Sequence, residues 1–171
     1  MEDFSITLRP LTSADTDFMV RLVSDPAVTE YLPDMITSHG MMESWIHSLR
    51  DSDHEYIVQH DGTEIGECSL TVADDHTAEI GFMLLPQFWR RGFGTEVVQQ
   101  LLEKADQLQV TEVTATTDAN NSAAVELLTK MGFQKQNIGW MASLSEDGEV
   151  MSQPQTIVSF SRKMNPRVSM V

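Results

Sequence analysis

Basic residues are scarce in this chain: 11 Lys and Arg stand against 26 Asp and Glu, for a formal net charge of −15. That shortage argues against a nucleic-acid partner, because phosphate neutralisation by Lys and Arg supplies most of that affinity. A cationic partner suits the charge better, although acidity also serves solubility on its own. Cysteine is scarcer still. A lone Cys68 forms no intrachain disulfide and builds no thiolate zinc site, and its apolar neighbours are those of a buried thiol rather than a nucleophile. His39, His47, His54, His60 and His76 lack His-Glu-x-x-His spacing, so no metal is expected. No apolar run approaches bilayer-spanning length, and Met1-Glu2-Asp3-Phe4-Ser5 carries acid where a secretory signal carries base. The expectation is a cytoplasmic protein without a membrane partner. With 9 Gly and 6 Pro, and no repeat or low-complexity tract, the chain also lacks a linker. At 171 residues, 41% apolar and 22% charged, it is large enough to bury a core, and one domain spanning 1–171 is expected.

Hydrophobic periodicity supplies the elements. Ser5 to Arg9 alternates as a strand up to Pro10, and Phe18, Met19, Leu22 and Val23 recur at helical spacing within Asp15 to Val23. Ser24 to Gly40 holds Pro26, Pro33 and Gly40, which is loop chemistry with room for one helical turn. Met42, Trp45, Ile46 and Leu49 mark a second helix ending near Asp51-Ser52-Asp53-His54, and helix core is the preferred reading of Met41, Met42 and Trp45 over an acceptor wall. Three strands follow, Tyr56 to Gln59, Ile65 to Val72 and Ala78 to Leu85, separated by Asp61-Gly62 and Asp74-Asp75. A long helix begins near Thr95 with Val97, Val98, Leu101, Leu102, Ala105 and Leu108 on one face. Glu112 to Thr117 reads as strand, Ser122 to Met131 as helix stopped by Gly132, and further strands start at Phe133 and at Thr156, with Asp147-Gly148 as a turn. The expected fold class is α+β, with a mixed, mostly antiparallel sheet of about seven strands flanked by about four helices.

The chemistry concentrates between the strand ending at Leu85 and the helix near Thr95. In Trp89-Arg90-Arg91-Gly92-Phe93-Gly94 two glycines let the backbone approach a ligand, and the unpaired N–H groups of the helix start form an anion cradle. The doublet Arg90-Arg91 would add charge beside a phosphate, or stand merely solvated. A structural turn is an equal reading of the spacing alone. A dinucleotide fingerprint lacks its third glycine, since Val97 occupies that place, and the Gly-Lys-Ser/Thr of a nucleoside-triphosphate loop is absent.

The stretch Ala78-Glu79-Ile80-Gly81-Phe82-Met83-Leu84-Leu85-Pro86-Gln87-Phe88-Trp89-Arg90-Arg91-Gly92-Phe93-Gly94-Thr95-Glu96 resembles the acetyl-CoA signature of the GNAT superfamily, Gln/Arg-x-x-Gly-x-Gly/Ala. Asn121-Ser122-Ala123-Ala124-Val125-Glu126-Leu127-Leu128-Thr129-Lys130-Met131-Gly132-Phe133 is similar to that family's Asn-started helix ending in Gly-Phe. Leu8-Arg9-Pro10-Leu11 and Asp25-Pro26-Ala27-Val28-Thr29-Glu30-Tyr31-Leu32 resemble the branch containing ribosomal-protein alanine N-acetyltransferases. Together these blocks run from about Ile6 to about Lys135.

The resemblance implies an N-acetyltransferase in which a neutral amine attacks acetyl-CoA directly in a ternary complex. It places the cofactor pyrophosphate on the N–H groups of Arg91, Gly92, Phe93, Gly94 and Thr95, with Arg90 beside it, and the pantetheine arm along the backbone of Phe82, Met83 and Leu84. Asn121 would contact the arm, or serve as a helix cap. Glu79 is the general-base candidate, the plainer alternative being an exposed strand carboxylate. Glu30, Tyr31 and Asp34 fall in the acceptor-binding region of the resemblance, with surface residues as the alternative. The acceptor would be a protein N-terminus, a polyamine or an aminoglycoside, and relatives often form homodimers. Two positions depart from the family pattern. Leu128 stands where many relatives keep a tyrosine acid and Ala124 where others keep a serine. Neither donates a proton, so the acid that meets the leaving thiolate is unassigned, and a non-catalytic acyl-CoA-binding sensor is the alternative function.

Overall fold

The structure, a computed structural model, describes residues 3, 5–32, 35–141, 145–149 and 154–165. In chain order it contains β1 (Thr7–Pro10), α1 (Thr16–Ser24), α2 (Pro26–Thr29), α3 (His39–His47), β2 (Asp53–His60), β3 (Thr63–Val72), β4 (Thr77–Leu84), α4 (Phe93–Gln107), β5 (Glu112–Asp118), α5 (Ser122–Lys130), β6 (Gln134–Met141) and β7 (Gln155–Lys163), with single 3₁₀ turns before α1 and after β4. The strands form one seven-stranded sheet in the order β1-β2-β3-β4-β5-β7-β6. Every pairing is antiparallel except β4 with β5. This is the mixed sheet that the alternation of apolar residues predicts.

The helical turn allowed for between Ser24 and Gly40 is α2, four residues long. The α2 turn forms because Asp25 caps it, accepting from Ala27 N–H at 2.9 Å, while Pro26 supplies a φ suited to the first helical position. β2 starts earlier than predicted. Its first residues, Asp53 and His54, read as the polar exit of a helix, but Arg50 N–H donates to Asp53 Oδ2 at 3.0 Å and turns the chain directly into the strand. β1 tolerates Pro10 because it is an edge strand with no second neighbour to require that N–H. The β2–β3 turn has positive φ at both Asp61 (49°) and Gly62 (75°), the conformation that two-residue hairpins prefer. Glu146 to Gly148 forms a turn as well, with Gly148 N–H donating to Ser145 O at 2.9 Å.

The sheet separates two apolar layers. On one face α4 packs through Val97, Val98, Leu101, Leu102 and Ala105, and Leu128 of α5 joins the same cluster with Cys68, Leu70, Ile80, Val113 and Phe160. Cys68 is fully buried, and burial, followed by the nearby carboxyls of Glu67 and Glu55, pushes its thiol well above the ordinary value. That fits an inert core thiol. On the other face, Phe18, Met19, Leu22 and Val23 of α1 and Met42 and Ile46 of α3 bury Ile57 of β2, with Met83 and Leu85 packed alongside. Trp45 is half-buried against this layer, whereas Met41 is 61% exposed. A fork from Arg9 to buried Asp15, at 2.9 and 2.8 Å, ties β1 to the start of α1. Burial pushes the Asp15 carboxyl up, but the Arg9 fork and the Thr12 N–H outweigh it and leave it below the usual range.

Candidate active site

The site is organised by a strand pair that stops pairing. β4 and β5 run parallel only through Thr77–Glu112, Ala78–Val113 and Glu79–Thr114. Beyond that row β4 continues to Leu84 with no partner on its β5 side. Ala73 N–H donates to Thr77 O and Leu85 N–H to Ile65 O, both at 2.8 Å, so the odd-numbered residues of β4 turn their amide groups toward β3. Ile80, Phe82 and Leu84 therefore direct theirs toward the gap. Among the three strand residues singled out from the sequence, Phe82 and Leu84 offer backbone to the gap. Met83 pairs with Glu67 of β3 and lends its side chain to the α1–α3 layer. Trp89 Nε1–H donates to Leu84 O at 2.7 Å, capping the open edge at its loop end. Nothing in the sequence pattern singles out this indole bond.

At the end of that edge, the loop leads into α4. Arg90 has φ 56° and Gly92 φ 96°, two left-handed residues that reverse the chain, and Gly92 is the N-cap of α4. The Gly92 side caps nothing, so the first-turn amides of α4 receive no side-chain acceptor from it. Phe93, by contrast, is fully buried. Its ring meets Phe88 edge-on at 5.7 Å and His60 at 4.8 Å, anchoring the loop in the core. The Arg91 guanidinium lies 5.8 Å above the Phe88 ring and 5.3 Å above that of Phe93, with Nη1 donating to Gln87 O at 3.4 Å. Arg90 is exposed. A Cβ at Gly94 would stand 3.1 Å from Leu127 Cδ2, so this glycine sets how closely α4 approaches α5. Thr95, half-buried, completes the first turn. Asn121 is the N-cap of α5, its Oδ1 accepting from Ala124 N–H at 3.2 Å, so the capping role read from the sequence is present.

Glu79 is exposed and stands on the last paired row, between Thr71 of β3 and Thr114 of β5. Strand alternation puts it on the α1–α3 face together with Glu55, Glu67, Ser69 and Thr71. Two of these were missed by sequence reasoning. Glu67 is 5% exposed and its carboxyl is hydrogen-bonded to that of half-buried Glu55. Burial pushes Glu67 well above the ordinary carboxyl range, and the neighbouring Glu55 pushes it further in the same direction. Glu55 is raised as well, by burial first. The period-two phase of β3 puts Glu67 on the polar face, but only packing by α1 and α3 buries it. Glu55 also lines an open cleft of about 280 Å³ with Pro10, Leu11, Ile46, Leu49, Asp53, His54 and Tyr56.

Of the acceptor candidates, Glu30 is exposed at the C-terminal end of α2 and Tyr31 is half-buried beside it, while Asp34 lies outside the described residues. Leu128 is 1% exposed in the core, where it has no access to a leaving group. No group of three His, Cys, Asp or Glu suited to a metal occurs among the described residues, and no described helix is long and apolar enough to cross a membrane.

Comparison with known proteins decides the family. The model of the GNAT acetyltransferase domain matches residues 5–134. The chain belongs to the GNAT acetyltransferase family. It is 28% identical over 144 residues to the uncharacterized N-acetyltransferase p20 of Bacillus licheniformis, covering 78% of this chain and 81% of that protein. In structure it is similar to spermidine N-acetyltransferase from Vibrio cholerae in complex with CoA and spermine, with TM-score 0.80 at 18% identity over 94% of this chain and 96% of the other. It is also similar to ribosomal-protein-alanine N-acetyltransferase from Brucella melitensis, with TM-score 0.73 at 18% identity over 92% and 99%. At such identities the two structures speak for the fold. Family membership makes this GNAT protein an acyltransferase that uses acetyl-CoA as co-substrate. A helix start with glycine at its N-cap, a loop with two left-handed residues and a strand edge that β5 leaves beyond Glu79 form a site into which such a molecule fits.

Proposed function

We propose that this GNAT protein acetylates the primary amine of a cationic acceptor by direct attack in a ternary complex, with the sheet gap beside β4 as the cofactor channel. One observation carries the reading. The gap opens at the α4 start, where an anion is favoured, and closes at Glu79, the carboxylate best placed to take a proton. The stretch between them, five residues of strand, spans roughly 17 Å and leaves alternate backbone groups open for an extended arm. In this reading the amides of Arg91, Gly92, Phe93, Gly94 and Thr95 hold the pyrophosphate with Arg90 nearby, and Phe82 and Leu84 pair with the arm. The remaining amide of Asn121 faces the arm while its oxygen caps α5. Glu79 accepts the proton that an ammonium must lose before its nitrogen attacks the thioester carbonyl. The carbonyl carbon then gains the C–N bond and loses the C–S bond, and the second proton, which the nitrogen sheds as it becomes an amide, passes through water to the departing thiolate, since Leu128 and Ala124 have none to give.

The acceptor side rests on charge. Glu79 and Glu55 share the α1–α3 face, Glu30 and Tyr31 border it in this reading, and the chain carries net −15. These features favour a polyamine, as named for the Vibrio cholerae neighbour, over the protein N-terminus named for the Brucella melitensis one. Residues 1–171 would act as one domain, in the cytoplasm where acetyl-CoA is available, and as a homodimer. The test is thiol release from acetyl-CoA across spermidine, peptides with free N-termini and aminoglycosides, run beside thermal shift with acetyl-CoA alone. Turnover with spermidine is expected. Stabilisation without turnover on any amine would favour a sensor instead. Gly92→Glu, which sets a carboxylate at the helix start, should weaken acetyl-CoA binding by at least about tenfold while leaving the fold intact, and unchanged affinity would remove the cradle.

A further inference from the structure

Buried Glu67 and its half-buried neighbour Glu55 are titratable groups that the acetyl-transfer reading leaves without a task. Its position is unusual. In the sheet row Ile57–Glu67–Met83, the residues on either side of Glu67 both belong to the apolar layer beneath α1 and α3. Glu67 is therefore a carboxyl in the middle of an apolar row, only 5% exposed. Its hydrogen-bond partner is Glu55, two residues along β2 from Ile57 on the same face, and Glu55 reaches the cleft bordered by Ile46 and Leu49 at the end of α3. Two carboxyls in hydrogen-bonding contact cannot both be ionised without strong repulsion, so the contact requires a proton between them.

We propose that Glu55 and Glu67 form a shared-proton latch that fastens β2 to β3 beneath the α1–α3 layer and loosens that layer when the second carboxyl ionises. The surroundings leave the pair to itself. Asp53 on the same strand is the other charge bearing on Glu55. From β3 the groups on this face are the neutral hydroxyls of Ser69 and Thr71, and from β4 Glu79, which is exposed. The charged and titratable residues of α1 and α3, Asp17, Arg21, His39, Glu43 and His47, are all exposed. His54 shares the cleft with Glu55. Lys104 acts on Cys68, which belongs to the opposite face. Arg9 of β1, next to Ile57 on the same face, is forked to Asp15 and pairs with Glu64 rather than with Glu55 or Glu67.

The sign follows from the direction of both shifts. A carboxyl whose folded value lies above its unfolded one contributes stability that is present below the ordinary Glu value and lost as pH rises through the folded value. The latch therefore holds in mild acid and yields toward alkaline pH, and the part of the molecule that should respond is the helical layer resting on the pair. Because that layer covers the face assigned above to the acceptor, the functional consequence, an acceptor KM that climbs with pH at constant acetyl-CoA affinity, rests on that assignment. The latch itself does not.

Hydrogen exchange on the full chain without substrate tests it directly. Protection factors of α1 and α3 amides in the wild type should fall by about fivefold between about pH 6 and about pH 9, while those of α4 stay level. Glu67→Gln keeps the shape and gives Glu55 a permanent donor, so its α1 and α3 protection should be flat across that range. Glu55→Gln should flatten it equally. A wild type with no such fall, or a Glu67→Gln protein that falls as steeply, overturns the latch. Flattening by Glu67→Gln alone overturns the pairing. A protein that shows the exchange behaviour yet never turns over any amine would count against acetyl transfer and leave the latch standing, so the two readings fail separately.

Discussion

Glu79 shows what a single residue's position can and cannot say. Its side chain is exposed and sits on the last row before β4 and β5 cease to pair, so it is both free to exchange protons with water and level with the closed end of the gap. A general base in that place acts on the amine, not on the cofactor. Glu79→Gln should lower kcat by about 10²–10⁴-fold and leave acetyl-CoA binding within about twofold of wild type. Steady-state kinetics, with acetyl-CoA affinity measured separately by calorimetry, checks this. An unchanged kcat would return Glu79 to the plainer reading of a surface strand carboxylate. Glu67 makes the contrast. It is a residue of the same type on the same face, two strand positions from Ser69, yet burial, with Glu55 beside it, turns it from a base into a proton holder.

At the scale of elements, α4 and α5 are set by one small residue. The Cβ of an alanine at position 94 would lie 3.1 Å from Leu127 Cδ2, the far end of a flexible side chain that can shift slightly. Removing a helix glycine contributes up to about 1 kcal/mol in the opposite direction, so Gly94→Ala should leave stability within about 1 kcal/mol of wild type. Gly94→Leu has no such room and should cost about 1–3 kcal/mol, recovered in part by Leu127→Ala, as urea unfolding of the four proteins would show. The elements themselves were largely readable. α1, α4 and α5 follow from residues three and four apart, and β3 and β4 from strand-like runs bounded by the turns at Asp61-Gly62 and Asp74-Asp75. What was not readable depends either on local hydrogen bonds that leave no periodicity or on contacts distant in sequence. Asp53 and His54 look like a helix exit until Arg50 turns the chain, α2 exists through a cap and a proline too short to show periodicity, and Glu67 becomes buried only when α1 and α3 arrive. The same division applies to the site. The loop from Trp89 to Gly94 was legible because its spacing is local, whereas the open edge of β4 depends on where β5 stops pairing.

The whole molecule has two sheet edges, and they are treated differently. β1 is four residues long and ends on Pro10, which blunts it. β6 is eight residues long, and every one of them is exposed. Ile138 is 65% exposed, Trp140 76% and Met141 47%, three of the large apolar side chains the protein leaves in water. Charge points the same way. Although the chain holds 26 acids, none falls in β6 or β7, where the ionised groups are Lys135, Arg162 and Lys163. Two copies of a −15 chain repel over most of their surfaces, and the acid-free strands β6 and β7 are where they can approach. An antiparallel β6–β6 contact would join the two sheets through their open backbone groups and cover the tryptophans. The homodimer proposed above should therefore be built on this strand. Light scattering after size exclusion should give twice the monomer mass for the wild type at about 50 µM, and Trp140→Lys, which adds charge to an exposed position without touching the core, should shift the species to monomer and remove the concentration dependence of Tm. A wild type that stays monomeric, or a Trp140→Lys protein that remains a dimer, would place the exposed strand outside any self-contact.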